Sequence, residues 1–261
     1  MPVNFEENSW PELEEYIKKD ALILVPVGAI EQHGPHLPVA TDMIIGRSIA
    51  ASVAEGLKDE IPVLVIPDMW QAYNGNILKK GWPGSLTIGQ DIQKKLLIGI
   101  TESIIDMGFK KMIYINTHGQ NLFTLESVVR TIADKYGIYL PFVFEYKIAA
   151  DFMDKNRRSG PGGICHACEL ETSLMLYLTD LVNMEKAVNN TLKYRSKFRN
   201  TDGMASSRVF WSTWGLEETE TGVLGDPAKA SRELGEKAFK YIVEEISGFA
   251  REYYRHKKGQ Q

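Results

Sequence analysis

The sequence has little cysteine. Only Cys165 and Cys168 carry thiols in 261 residues. A zinc knuckle needs a second ligand pair, and no other cysteine exists to supply it. The C-x-x-C spacing invites a redox reading. A thioredoxin-like pair opens a small βαβ domain, however, whereas this one lies late in the chain and brackets His166. The expectation is two small buried thiols beside a pocket. A basic tract is also missing. The formal net charge is −4 and the isoelectric point about 5.8. With no stripe of lysine and arginine, nucleic acid is not an expected partner. No apolar run approaches the roughly 20 residues of a membrane helix. The opening MPVNFEENSWPELEEYIKKD is acidic and lacks the apolar stretch of a secretory signal. These absences predict a soluble, cytoplasmic protein with no membrane role. Repeats, low-complexity tracts and Pro/Gly/Ser linkers are absent too, so one domain is expected over residues 1–261. A hydrophobic content of 44% is enough, at this length, for one sizeable core.

What is present is an alternation of short apolar runs with helical patterns. Ala21–Val27, Pro62–Asp68, Lys111–Asn116 and Tyr139–Tyr146 read as strands. The first is apolar without interruption, as a strand buried on both faces is. Met43–Lys58, Asp91–Met107, Leu122–Lys135, Glu169–Thr179 and Pro227–Tyr254 read as helices. Gly108 and Gly137 stand beyond two of their ends. The order predicts an α/β fold with a mostly parallel sheet covered on both sides. Ligands then bind beyond the carboxyl ends of the strands. Two long stretches without periodicity, Met69–Gly89 and Asn190–Gly225, are long enough to be functional loops.

Four of the five histidines fall at strand ends or a helix entry: His33, His36, His118 and His166. Glu31 and His33, two apart, share a face of an extended segment. Asp42 follows across a loop stiffened by Pro35 and Pro38. Carboxylate and imidazole together suit Zn²⁺, Mn²⁺ or Fe²⁺, and an aspartate can bridge two ions. His118 would project from the end of the third strand. His166 and Glu169, three apart, would meet on one face if the helix has begun by then. Plainer readings stand beside these. Asp42 could cap the helix that follows it, His36 could be a packing residue, and His166 could be a satisfied structural histidine. Lys79 and Lys80 read as a solvated loop face before they read as an anion site.

Several segments resemble the creatininase family in order along nearly the whole chain. VPVGAIEQHGPHLPVATD resembles its first motif closely. NTHGQN, HACELETS, WPGSLTI and TGVLGDPAKAS are similar to later ones. The resemblance implies a three-layer α/β/α fold, a two-metal site and a homo-oligomer, often a hexamer. It implies that Glu31 and His118 hold one metal and His33 the second, that Asp42 bridges, and that His166 shuttles protons. The chain departs from creatininase in three places. Gln120 stands where creatininase has a glutamate ligand. Cys165 stands where it has the glutamate before its proton-shuttling histidine. FEYKIAADF has no clear match to its substrate-covering tryptophan. A charge count over two ions makes Glu169 the expected replacement for the missing ligand, with Glu171 as rival. Glu169 is also expected to act as a catalytic residue beside His166.

The resulting expectation is a hydrolase that cleaves a C–N bond, an amide or cyclic amide, in a small polar substrate by metal-activated water. Tyr73, Trp82, Gln120 and Trp211 are expected to line the pocket. Weak activity on creatinine is expected. The competing readings are C–C ring opening of a diketo-inositol-type substrate and a metal-binding protein without catalysis.

Overall fold

The computed structural model describes residues 2–75, 82–191, 197–198, 200, 202–204, 207–209 and 219–256. Its elements are α1 (Trp10–Lys18), β1 (Leu22–Val27), α2 (Thr41–Leu57), β2 (Val63–Val65), α3 (Gln90–Asp106), β3 (Lys111–Asn116), α4 (Leu122–Tyr136), β4 (Phe142–Phe144), α5 (Glu145–Ile148), α6 (Ala150–Asn156), β5 (Ile164–His166), α7 (Glu169–Leu178), β6 (Leu224–Gly225) and α8 (Arg232–Arg255). Four strands form a parallel sheet in the order β2-β1-β3-β4. β5 and β6 form a separate antiparallel pair that sets His166 opposite Leu224.

β1 shows why the sheet must be buried on both sides. Leu22 and Leu24 point into a core shared with α2, α7 and α8, while Ile23, Val25 and Val27 point into one shared with α1, α3 and α4. Neither set of side chains faces water, so the strand carries no polar alternation. The result is the expected three-layer α/β/α arrangement. Among the described residues no helix is long and apolar enough to cross a membrane.

The main differences from the sequence expectation lie at four boundaries. The second strand, expected over Pro62–Asp68, is confined to Val63–Val65. The helix expected from Met43 starts at Thr41, with Ala40 in the cap position, so Asp42 lies within its first turn and is not its N-cap. The fourth strand shrinks to Phe142–Phe144, and Glu145 and Tyr146 open α5. The closing helix starts at Arg232. Ser231 caps it by accepting from the Leu234 amide at 3.2 Å, while Pro227–Lys229 forms one 3-10 turn. α8 lies directly on α7 because Gly235 has no side chain: a Cβ there would sit 1.8 Å from the Ser173 carbonyl oxygen. That close packing anchors the helix that starts beside His166.

Candidate metal centre

The carboxyl ends of β1 and β3 deliver the first residues of the site. Beyond β1, the Glu31 amide donates to the Val39 carbonyl at 2.9 Å and closes the proline-containing loop. His33 Nδ1 lies 3.0 Å from the Glu31 carbonyl oxygen, which can only accept. Nδ1 therefore carries a proton, and Nε2 is the nitrogen that turns inward to the site. Beyond β3, Asn116 brackets His118, accepting from its amide at 3.2 Å and donating to its carbonyl at 3.0 Å. His118 Nε2 donates to the Tyr73 carbonyl at 3.2 Å, so Nδ1 faces the site. Thr117 ties the two ends together by donating to the Asp42 carbonyl at 2.8 Å.

Asp42 is the centre of the cluster. Its Oδ1 lies 3.1 Å from His33 Nε2 and its Oδ2 lies 3.0 Å from His118 Nδ1. Glu31 Oε2 lies 3.2 Å from the same His118 nitrogen. Two ligand sets thus share Asp42: Glu31, Asp42 and His118 on one side, and His33, Asp42 and Glu171 on the other. Glu31 also groups with His33 and His166. The set fits divalent ions on an independent observation. His33 Nε2 and Asp42 Oδ2 are fully buried and neither has a hydrogen-bond partner of sound geometry. Buried polar atoms are rarely left so, and a cation is what this donor chemistry accepts.

Glu169 is not in the cluster. Its carboxylate accepts from the Arg158 amide at 2.7 Å and the Ser159 amide at 2.9 Å, on the other side of the helix start. Glu171 takes the position instead. Its Oε2 accepts from the Cys168 amide at 3.2 Å in a capping box, and its Oε1 lies 3.7 Å from His33 Nε2. The reason is local. His166 belongs to β5 and the helix begins only at Glu169, so the helical i,i+3 relation between them does not exist.

The electrostatics follow from burial and sign. Burial alone would push His33 and His118 down. The Asp42 and Glu171 carboxylates reverse this for His33, and Glu31 and Asp42 raise His118 to about 10. Burial works to raise Asp42 and Glu171, and the facing histidines hold both below the usual carboxylate range. Glu145 behaves oppositely. Burial first, then the Asp42 and Glu171 charges, push it well above that range, and its Oε2 has no hydrogen bond.

The remaining expectations divide. His36 is buried, with Nε2 3.0 Å from the Thr172 hydroxyl and its own pKa pushed down to about 4 by burial, the behaviour of a neutral packing histidine. Gln120 is buried beside Gly75 at the site, whose Cβ would lie 3.2 Å from the Gln120 amide nitrogen. Tyr73 contributes its backbone carbonyl, and Trp82 is partly buried in the neighbouring loop. Trp211, Lys79 and Lys80 lie outside the described residues. Neither cysteine is in a disulfide. Cys168 lies 3.1 Å from the Tyr146 hydroxyl, and burial raises its thiol far from the thiolate range that redox exchange needs. Sequence reasoning passed over Gln32 and Glu145. The signal for Glu145 was a lone carboxylate inside the apolar run FVFEY. Gln32 offered none beyond its place between Glu31 and His33.

The model of the family described as "Creatininase: Creatinine amidohydrolase" matches residues 6–250. The chain belongs to the creatininase family. It is 28% identical over 226 residues to the mycofactocin precursor peptide peptidase of Mycolicibacterium smegmatis, covering 85% of this chain and 81% of that protein. It is 27% identical over 197 residues to the 3-dehydro-scyllo-inosose hydrolase of Thermotoga maritima, covering 73% and 61%. The crystal structure of a creatinine amidohydrolase superposes with a TM-score of 0.77 at 22% identity, covering 98% of this chain and 99% of that one. Further creatininase structures of this fold are described as zinc–zinc and manganese forms.

Proposed function

We propose that this creatininase-family hydrolase cleaves an amide C–N bond in a small polar substrate, at a centre of two divalent ions such as zinc or manganese. The observation that carries the reading is the sharing of Asp42 between two buried carboxylate–imidazole sets. Glu31 and His118 complete one set, and His33 and Glu171 the other. When bound, such ions supply a nucleophilic water near neutral pH and positive charge against a carbonyl oxygen. The chain does the rest. The carbonyls of Glu31 and Tyr73 fix which nitrogens of His33 and His118 face inward. His166, with Nδ1 3.9 Å from Glu31 Oε2, is the group that moves a proton to the leaving nitrogen. Glu169 holds the 158–159 backbone and takes no part in the chemistry. A homo-oligomer, as the family resemblance implies, and a cytoplasmic location, as the composition suggests, are part of the same proposal.

A second reading has an observation of its own: the peptidase relative is matched over more of its length than the inosose hydrolase. The scissile amide would then belong to a short peptide. Ring opening at a C–C bond is the third outcome. One experiment separates them. Protein purified without chelator is assayed for metal, then given a panel of cyclic amides, open-chain amides, short peptides and a cyclic diketone. Amine release that stops on chelation and returns with zinc or manganese supports the proposal. Full activity in metal-free protein would sink it, and a nitrogen-free acid product would move it to C–C cleavage. Creatinine is expected to be a poor member of the panel, because Gln120 stands where creatininase carries a charged ligand. Turnover of creatinine at an ordinary rate, about 1–10³ s⁻¹, would contradict this.

A further inference from the structure

Gln32 is buried between Glu31 and His33 and holds three segments at once. Its backbone amide donates to the Ser85 hydroxyl, in the loop after β2, at 2.9 Å. Its side-chain Oε1 accepts from the Gly34 amide at 2.9 Å, and its Nε2 donates to the Gly222 carbonyl at 3.1 Å. These two partners, one a donor and one an acceptor, fix which end of the amide is oxygen. Gly222 sits at φ +81°, and a Cβ there would lie 1.9 Å from Gln32 Oε1, so the turn before β6 is moulded onto this side chain.

His166 Nε2 lies 2.8 Å from the Gln32 carbonyl oxygen and 3.1 Å from Gln32 Nε2. The carbonyl cannot donate, so a bare Nε2 would set two lone pairs against each other at 2.8 Å. A proton on Nε2 removes the conflict: one of the two Gln32 amide hydrogens goes to Gly222, and the contact to that amide nitrogen, at 3.1 Å, is longer than the one to the carbonyl, which sets the tautomer. Nδ1 is then the nitrogen with a free lone pair. It is also the one that faces Glu31, with the His166 ring 4.3 Å from the His33 ring.

We infer that Gln32 is a positioning residue that locks His166 in the Nε2–H tautomer and makes Nδ1 its working nitrogen. The inference deepens the hydrolytic reading of the same centre and rests on it for its catalytic meaning. In each turnover Nδ1 takes a proton from the nucleophilic water and passes that proton to the leaving nitrogen, while Nε2 keeps its own. His166 thereby follows the rule already set by His33 and His118: one ring nitrogen is spent on a backbone carbonyl and the other serves the site.

The test is the long-range ¹H–¹⁵N spectrum of histidine-labelled, zinc-loaded protein at pH 8, with His166→Asn assigning the signal. Wild-type His166 is expected to show a protonated Nε2 and an unprotonated Nδ1. Gln32→Leu removes the Gly34 and Gly222 tethers, and the ratio of Nε2–H to Nδ1–H is expected to fall by roughly fivefold, the weight of about one neutral hydrogen bond. A proton on Nδ1 in the wild type would overturn the inference, and that measurement needs no variant to fold. So would a Gln32→Leu spectrum identical to the wild type. Zinc content is read on the same samples. A protein that takes up no zinc would defeat the hydrolytic reading while leaving the tautomer measurable.

Discussion

Glu169 and Glu171 stand two positions apart in the first turn of α7 and serve unrelated ends. Glu169 spends both oxygens on backbone amides, whereas Glu171 splits its oxygens between the helix cap and His33. Glu171→Gln is therefore expected to cost about one ion per chain and most of the hydrolysis, while Glu169→Gln keeps both ions. Glu169→Gln should instead lower stability by about 1.5–3 kcal/mol, the range for a lost hydrogen bond to a charged group. Metal analysis and denaturant unfolding of the two variants check this, and the reverse pattern would restore Glu169 as the ligand. The sequence made Glu31, His33 and His118 legible because they follow the ends of β1 and β3, and Asp42 because it closes the same proline-stiffened loop at the start of the next helix. It misled at Glu169 because the choice between two glutamates depends on where a helix starts, to within one residue. Replacing Cys165 with Ser and Cys168 with Ala tests the other close judgement. Hydrolysis of whichever panel amide is turned over should stay within roughly tenfold, about 1.4 kcal/mol in barrier. Loss of all activity with metal retained would give the thiols a chemical role.

At the scale of elements, the strands and helices were readable where periodicity is long and were blurred where it is short. β1 and β3 keep nearly their expected spans, since an apolar run buried on both faces has few other interpretations. β4 is shorter than expected at both ends, starting at Phe142 and stopping at Phe144, where Glu145 and Tyr146 open α5. The contact of α8 on α7 could not be read from pattern at all. It depends on one absent side chain, at Gly235, where the backbone of Ser173 already fills the space. Gly235→Ala should raise intrinsic helix propensity yet destabilise the protein, by about 1–3 kcal/mol for overpacking. Thermal or urea unfolding measures it. A neutral or stabilising result would mean that the α7–α8 interface yields easily. Because α7 carries Glu171, the same variant should also weaken metal retention more than an alanine at exposed Gly248, where a Cβ would meet nothing within 4 Å.

For the whole molecule, the site concentrates charge that the fold alone cannot comfortably hold. Glu31, Asp42 and Glu171 are buried close together, balanced in the metal-free protein by protons on His33 and His118. An ion that binds the folded state alone stabilises it by about 2.7 kcal/mol at a hundredfold excess over its dissociation constant. For a protein of this size that is about 5–10 °C in melting temperature per ion. Chelation should therefore lower the melting temperature by at least that much. The gap should also depend on pH in a definite sense. His118 is raised from 6.5 to about 10, so its contribution to metal-free stability is complete below about pH 6.5 and fades as pH climbs towards 10. Metal uptake must expel those same protons, so affinity at fixed free metal rises with pH over that interval. Both trends act in one direction. The difference between zinc-loaded and chelated melting temperatures should widen from pH 6.5 to pH 8.5, as differential scanning calorimetry of the two forms would record. A gap that narrows with rising pH would mean that His33 and His118 are not the groups that exchange protons for metal.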